Sequence, residues 1–189
     1  MLDQSELDTT QLLNKAQSGD PDAYGELYAW YAPRVFRYLY SHLDNREDAE
    51  DLTEEVFLRV WRSISSYREQ GVPYQAYLFK IARNALIDHY RKNASTKQEV
   101  SIEDISLRDR EPGPGEAVTK MLEHEGLRQM MGKLREDYRT VLVLRFLSEL
   151  SPEETAQVMG RSAGAVRVLQ HRALAALRDL MAGTSRQSH

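Results

Sequence analysis

Arg167, His171 and Arg172 stand clear of an apolar stripe formed by Val166, Leu169, Ala173, Leu177 and Leu180. Hydrogen-bond donors presented from the first turns of a helix, away from its buried side, match what base edges in the DNA major groove accept. A second constellation lies between Tyr67 and Arg91. Tyr67, Arg68, Tyr74 and Tyr77 belong to a loop and the start of a helix, and Lys80, Arg83, Asn84, Asp88 and Arg91 gather opposite the stripe Leu78, Ile81, Ala82, Ala85 and Leu86. Aromatic faces that stack on exposed bases, cations that track phosphates and an amide that reads a base edge together suit single-stranded nucleic acid. A third group sits on the acidic run from Asp48 to Arg62. There Leu52, Val56 and Val60 cannot share one buried face with every apolar neighbour, so Phe57 and Arg59 are expected to project with Asp51 and Glu55 onto a second, docking surface.

Catalytic chemistries fail by comparison. His124-Glu125 opens like a zinc-protease motif, but Arg128 stands where the second histidine is required. His42, His89, His171 and His189 have no ligand spacing, and the chain has no cysteine, which removes thiol catalysis, disulfides and cysteine-based zinc sites together. Gly113 and Gly115 alternate with prolines and no Gly-Lys-Ser/Thr follows, so no phosphate cradle is expected. Neither enzyme activity, metal nor cofactor is expected.

These side chains are positioned by helices. Ser151, Pro152 and Glu154 have the spacing of a capping box with proline in the first turn, and Gly160 ends the short helix that follows. Ser162 caps a longer one, and the pair reads as a helix-turn-helix. Upstream, helical patterns run from Thr9 to Gln17, from Pro21 after a cap at Asp20, and from Asn45, where Asp44 and Glu47 share a capping-box spacing. Gly71 and Pro73 interrupt the pattern before a fourth helix through Tyr77, Ile81 and Ala85 toward Arg91. Two further helices are expected over residues 117–131 and 135–147. No strand pattern or internal repeat is visible. The fold class is therefore all-α, with two small helical domains at 1–94 and 119–189 joined by a flexible acidic linker at 95–118, whose run Glu111-Pro-Gly-Pro-Gly-Glu116 has too few apolar side chains to offset ordering.

The net charge of −4 conceals an asymmetry. Residues 119–189 hold eleven Lys and Arg against eight Asp and Glu, whereas residues 1–94 hold eleven against fifteen. The basic surplus lies with the helix-turn-helix, and the acidic excess elsewhere points to a large protein partner that delivers the chain to DNA. No bilayer-length apolar run and no secretory leader are visible, so a cytoplasmic protein without membrane insertion is expected. The residues alone leave open a DNA-binding regulator and a protein-interaction module.

Three ordered motifs narrow this choice. They are Asp48-Ala-Glu-Asp-Leu with Glu55-Val-Phe-Leu-Arg-Val-Trp, then Tyr77-Leu-Phe-Lys-Ile-Ala-Arg-Asn with Asp88-His-Tyr-Arg, then Leu150-Ser-Pro-Glu-Glu-Thr-Ala with Gly164-Ala-Val-Arg and His171-Arg-Ala-Leu. From about Thr9 to Leu180 the chain resembles the extracytoplasmic-function sigma factors, the smallest class of bacterial RNA polymerase sigma subunits. The resemblance implies promoter-specific initiation: a first domain, region 2, that binds core polymerase and melts the −10 element, and a last domain, region 4, that reads the −35 element. It implies polymerase binding by Asp48, Asp51, Glu55, Phe57 and Arg59. It further implies −10 contacts from Tyr67, Arg68, Tyr74, Tyr77, Lys80, Arg83, Asn84, Asp88 and Arg91, with the 67–73 loop holding a flipped base. The −35 contacts it implies are Ser162, Gly164, Arg167, Val168, His171 and Arg172. The partners implied are core polymerase through its β′ clamp helices and β flap, promoter DNA, and an anti-sigma factor. Glu54, Tyr77 and Ala165 depart from the family's common glutamine, tryptophan and hydroxyl residue.

Overall fold

The computed structural model describes residues 4–43, 45–68, 71–97, 126 and 129–185. Among them, α1 spans Gln4–Gln17, α2 Pro21–Tyr40, α3 Arg46–Ser63 and α4 Tyr74–Lys97, with a 3-10 turn at Ile64–Ser66. The second unit contains α5 at Glu136–Leu142, a π turn at Val143–Leu147, α6 at Pro152–Met159 and α7 at Ala163–Ser185. No strand occurs among the described residues, in line with the all-α reading.

Local chemistry sets these boundaries. Asp20 accepts from the backbone amides of Asp22 and Ala23 ahead of Pro21, as its position predicts. The cap of α3 differs from expectation: Asn45 accepts from the amide of Asp48, one residue later than the Asp44–Glu47 spacing, and Asp44 itself lies outside the described residues. A side-chain oxygen three residues before a free amide suffices, and Asn45 meets that condition for a helix beginning at Arg46. The first helix begins at Gln4, earlier than the apolar pattern from Thr9, and α4 continues to Lys97, past the expected start of the linker. The rest of the linker and most of the helix expected over 117–131 lie outside the described residues, although residues 129–132 are helical.

In the first unit α2, α3 and α4 bury Leu27, Val35, Tyr38, Leu39, Val56, Val60, Leu78 and Phe79 between them. At roughly 1.5–3 kcal/mol for each fully buried large apolar side chain, this stripe-on-stripe packing is the main stabilising term. In the second unit, α5 and α6 pack on α7 through Val141, Leu144, Leu150, Val158, Val166 and Ala173. Gly160, at φ 65°, turns the chain between α6 and α7 in the left-handed region that a side chain disfavours, and its amide donates to the carbonyl of Ala156. The two units also touch: α6 lies on α4, and the π turn lies on α2.

Candidate functional site

The helix-turn-helix carries the most coherent group. Ser151 accepts from the amide of Glu154 at 3.1 Å, and the Glu154 carboxylate accepts from the amide of Ser151 at 2.7 Å, completing the expected capping box. Ser162 accepts from the amide of Ala165 at 3.1 Å and so caps α7. Val166 and Ala173 are fully buried beneath this helix, which holds Gly164, Arg167, Val168, His171 and Arg172 together on its exposed side. Arg167 is not idle there, because its guanidinium pairs with Glu153 of α6 at 2.6 Å. Both partners are well exposed, so the pair is weak and readily exchanged for a base edge or a phosphate.

The second group divides three ways on α4. Asn84 and Arg91 are exposed and Lys80 is half-buried, all on the outer side of the helix. Asp88 turns toward α3 and accepts from Arg59 at 3.0 Å. Arg83 faces the second unit, where it lines a cavity of about 60 Å³ with Glu136, Asp137 and Arg161. Neighbouring helix positions differ by about 100°, so Arg83 and Asn84 cannot serve one narrow face.

Tyr67 and Tyr74 correct the aromatic-stacking expectation. They are 7% and 3% exposed, and with Tyr77 they form a ring cluster with centroids 4.6–6.2 Å apart. Their rings bury more apolar area against each other and Tyr31 than a solvated loop could, so the cluster supports the loop in place of lying open on it. The Tyr67 hydroxyl donates to the carbonyl of Val72 at 2.7 Å, which closes the loop. Gln17 donates to the carbonyls of Ile64 and Tyr67 at 3.2 and 2.8 Å, tying α1 to the same turn. Burial pushes the hydroxyls of Tyr31 and Tyr74 above their ordinary range, so both remain neutral. Arg68 stays exposed, and Tyr77 is half-buried with its hydroxyl 2.6 Å from that of Ser63.

The acidic helix also separates its candidates. Phe57 does not project outward: it is 3% exposed and meets Tyr28 edge-on at 4.7 Å between ring centroids. Its helical position falls beside Val56 and Val60, inside the arc that α2 covers. Arg59 bridges Glu55 at 2.6 Å and Asp88 at 3.0 Å, and these hydrogen bonds raise its already high pKa. Asp48 lies on the same α3–α4 side, 3.8 Å from His89. Asp51 alone of the five is fully on the outer face.

That outer face contains a groove of whose lining only Phe57, at its floor, belongs to the sequence-based docking set. Glu54, Phe57, Leu58 and Trp61 of α3, with Pro21, Tyr24 and Tyr28 of α2, line an open and largely apolar groove of about 440 Å³. Leu58 is 55% and Trp61 39% exposed, and on one groove they make a contiguous apolar patch of the kind that marks an interaction surface. Tyr24 packs on Trp61 at 4.7 Å and donates its hydroxyl to the carbonyl of Phe57, while burial pushes its pKa up. The signal was available: Glu54, Leu58 and Trp61 recur at helical spacing on the side opposite Val56 and Val60.

Two helical units, one bearing a helix-turn-helix and the other an outward polar helix beside an apolar groove, define a nucleic-acid-reading protein with a docking face. Residues 27–96 match the family model for Sigma-70 region 2, and residues 124–177 match that for Sigma-70, region 4. The chain is 34% identical to the ECF RNA polymerase sigma factor ShbA of Streptomyces griseus, over 89% of this chain and 93% of the relative. It is 36% identical to the ECF RNA polymerase sigma factor BldN of Streptomyces coelicolor, over 93% of this chain and 67% of that protein. Among solved structures it is similar to CnrH in complex with the cytosolic domain of CnrY, with a TM-score of 0.71 at 25% identity, covering 93% of this chain and 98% of the other. The chain belongs to the ECF sigma factors of the sigma-70 family. It is a factor for promoter-specific transcription initiation, and no described helix is long and apolar enough to cross a membrane.

Proposed function

We propose that this sigma factor docks on core RNA polymerase through the groove between α2 and α3, with Leu58 and Trp61 as apolar anchors and Asp51 and Glu54 as its acidic rim. The observation that carries this reading is the exposure of Leu58 and Trp61 around a groove of about 440 Å³. Partly exposed aromatic and aliphatic side chains beside a concavity are typical binding hot spots. Asp48, Glu55 and Arg59 then support the site from the α3–α4 side, by orienting one helix on the other.

Promoter reading divides between the units. Lys80, Asn84 and Arg91 meet the separated −10 strand together with Arg68, and Gly164, Arg167, Val168, His171 and Arg172 meet the −35 duplex. Ser162 acts by capping the reading helix. In this reading the protein works as a binding subunit and not as an enzyme, and its place of action is the cytoplasm. The family resemblance adds an anti-sigma factor to its partners.

A pull-down with core polymerase tests the docking site. Leu58→Glu places a charge on the groove's edge at an exposed position, so circular dichroism should be unchanged while core binding and run-off transcription fall together. Retained core binding by both Leu58→Glu and Trp61→Ala would remove the groove from the docking surface.

A further inference from the structure

The exposed side of α7 is not uniformly polar. Successive helix positions differ by about 100°, so Gly164 and Arg172 fall about 40° to either side of Val168, and Ala165 and His171 about 60°. Val168 is therefore the centre of the exposed arc, opposite the buried Val166. That centre is aliphatic. Val168 is 53% exposed, Ala165 contributes one exposed methyl, and a Cβ added at Gly164 would stand in open space. The donors surround it: Arg167 lies at one margin, and His171 and Arg172 lie one turn further along the helix.

Two contacts fix the direction in which Val168 points. Ser162 caps the helix by accepting from the amide of Ala165 at 3.1 Å. On the opposite side, Gln170 accepts from Arg145 Nε at 2.9 Å, while Arg145 Nη1 donates to the carbonyl of the buried Leu150. Arg145 thus ties α7 to the π turn and to the residue ahead of the α6 cap, which sets the rotation of α7 about its own axis. Valine is branched at Cβ and keeps essentially one χ1 rotamer in a helix, so its methyls are in place before any partner arrives.

Base edges in the major groove offer hydrogen-bond donors, acceptors and one apolar group, the C5-methyl of thymine. The first turns of a recognition helix are the part that meets those edges. In α7 these turns carry Gly164 and Ala165, which let a base edge approach closely, and Val168, whose methyls face it. We propose that Val168, with Ala165 beside it, is a specificity-determining residue that reads the C5-methyl of a thymine in the −35 element. Arg167, His171 and Arg172 supply the flanking polar contacts. The proposal rests on the assignment of this side of α7 to −35 reading. Val168 has no polar atom with which to tell the O4 of thymine from the N4 amine of 5-methylcytosine, so the methyl is the group recognised.

The test uses holoenzyme assembled from core polymerase and the full chain, with a −35 duplex that this holoenzyme selects from a randomised library. Each thymine of the selected element is replaced in turn by deoxyuridine, which removes the methyl and leaves the hydrogen-bonding edge unchanged. One position should lose about fourfold in affinity, the effect of burying about one methyl-sized group. That loss should vanish in Val168→Ser and persist in Val168→Ile, with the circular dichroism of both variants unchanged because the position is exposed. At the same position, a gain for 5-methylcytosine over cytosine identifies the methyl alone as the ligand. Its absence, with the uracil loss retained, restricts the ligand to thymine, and either result keeps Val168 as the residue that reads it. Equal affinity for thymine and deoxyuridine at every position would overturn the assignment, as would a uracil loss of the same size in the parent and Val168→Ser. The underlying reading fails differently: without −35 recognition the parent does not distinguish the selected duplex from a scrambled one, whereas a failed methyl contact leaves that preference intact.

Discussion

The helix-turn-helix and the acidic helix α3 make an instructive pair. On α7 the expected reading residues share one exposed side, because one helix presents them and its buried stripe is supplied within its own unit. On α3 the five expected docking residues scatter: Phe57 goes inside, Arg59, Glu55 and Asp48 turn toward α4, and Asp51 stays outside. The difference is the number of neighbours. The reading side of α7 is exposed apart from the Arg167–Glu153 pair, whereas α3 is held between α2 and α4, and each neighbour claims part of its circumference.

The largest expected effect separates two adjacent residues of α3. Phe57→Ala removes a buried ring that packs on Tyr28 and should cost about 3–5 kcal/mol of stability. Leu58→Ala, next to it on the exposed side, should change stability by about 0.5 kcal/mol or less while still weakening core binding. Urea denaturation alongside a polymerase pull-down measures both, and equal destabilisation by the two variants would erase the proposed inner and outer faces.

On the helix-turn-helix, Arg167→Ala should lose about 1–3 kcal/mol of discrimination between a matched and a scrambled −35 duplex. Glu153→Gln should act in the opposite direction, since it frees Arg167 from its 2.6 Å pair and removes a negative charge near the phosphates. Anisotropy titrations at fixed salt report the pair. Loss on both duplexes alike would assign Arg167 to phosphate contact.

Acidification probes the contact between the two units through His42, whose Nε2 lies 3.0 Å from the Thr140 hydroxyl. Burial holds its pKa down at about 4, against an ordinary value of 6.5. The carbonyl of Tyr38 partly offsets this, and the Arg139 guanidinium, which donates to the carbonyl of Ser41 at 3.3 Å, adds to it. The remaining groups around the ring are Thr140, the Ser41 hydroxyl and the Tyr90 hydroxyl, which donates to the His42 carbonyl. The unfolded chain takes up a proton before the folded one does. The contribution of neutral His42 is therefore complete above about pH 6.5 and is lost as pH falls toward 4, at no more than about 1.4 kcal/mol per pH unit. Urea midpoints at pH 7.5 and 5.5 should differ for the parent and much less for His42→Gln; an equal drop in both would place the sensitivity elsewhere.

The smallest effect belongs to the α3–α4 bridge. Arg59→Ala breaks two partly exposed pairs and should cost about 1 kcal/mol of stability. Its effect on core binding should be indirect and smaller than that of Leu58→Glu. A larger binding loss than the groove variant shows would restore Arg59 to the docking face.

Sequence pattern fixes what depends on a few neighbouring residues. The Ser151–Glu154 box, the Asp20 cap, the Gly160 turn and the Ser162 cap could all be read directly, because each is a backbone requirement met within about four positions. Periodicity likewise indicated the helices of both units and the outward side of α7. It could not show that Tyr67 and Tyr74 would find each other and Tyr31, since that requires α2, the loop and α4 to converge. It could mark Glu54, Leu58 and Trp61 as one face of α3, but not the groove. Glu54, Leu58 and Trp61 become a site only when Tyr24 and Tyr28 of α2 form the other wall.

The chain by itself therefore determined the helices, the caps of α2, α6 and α7, the helix-turn-helix and, through its ordered motifs, the family. Tertiary structure decided which side of α3 and α4 each polar residue serves, and it brought Gln157 to Gly71 and His42 to Thr140 across 86 and 98 positions of sequence. The physical reason is range. Helix caps and amphipathic stripes are set by contacts within one or two turns, whereas a groove wall or a domain seam is set by which distant apolar faces bury each other, and only the packed whole specifies that.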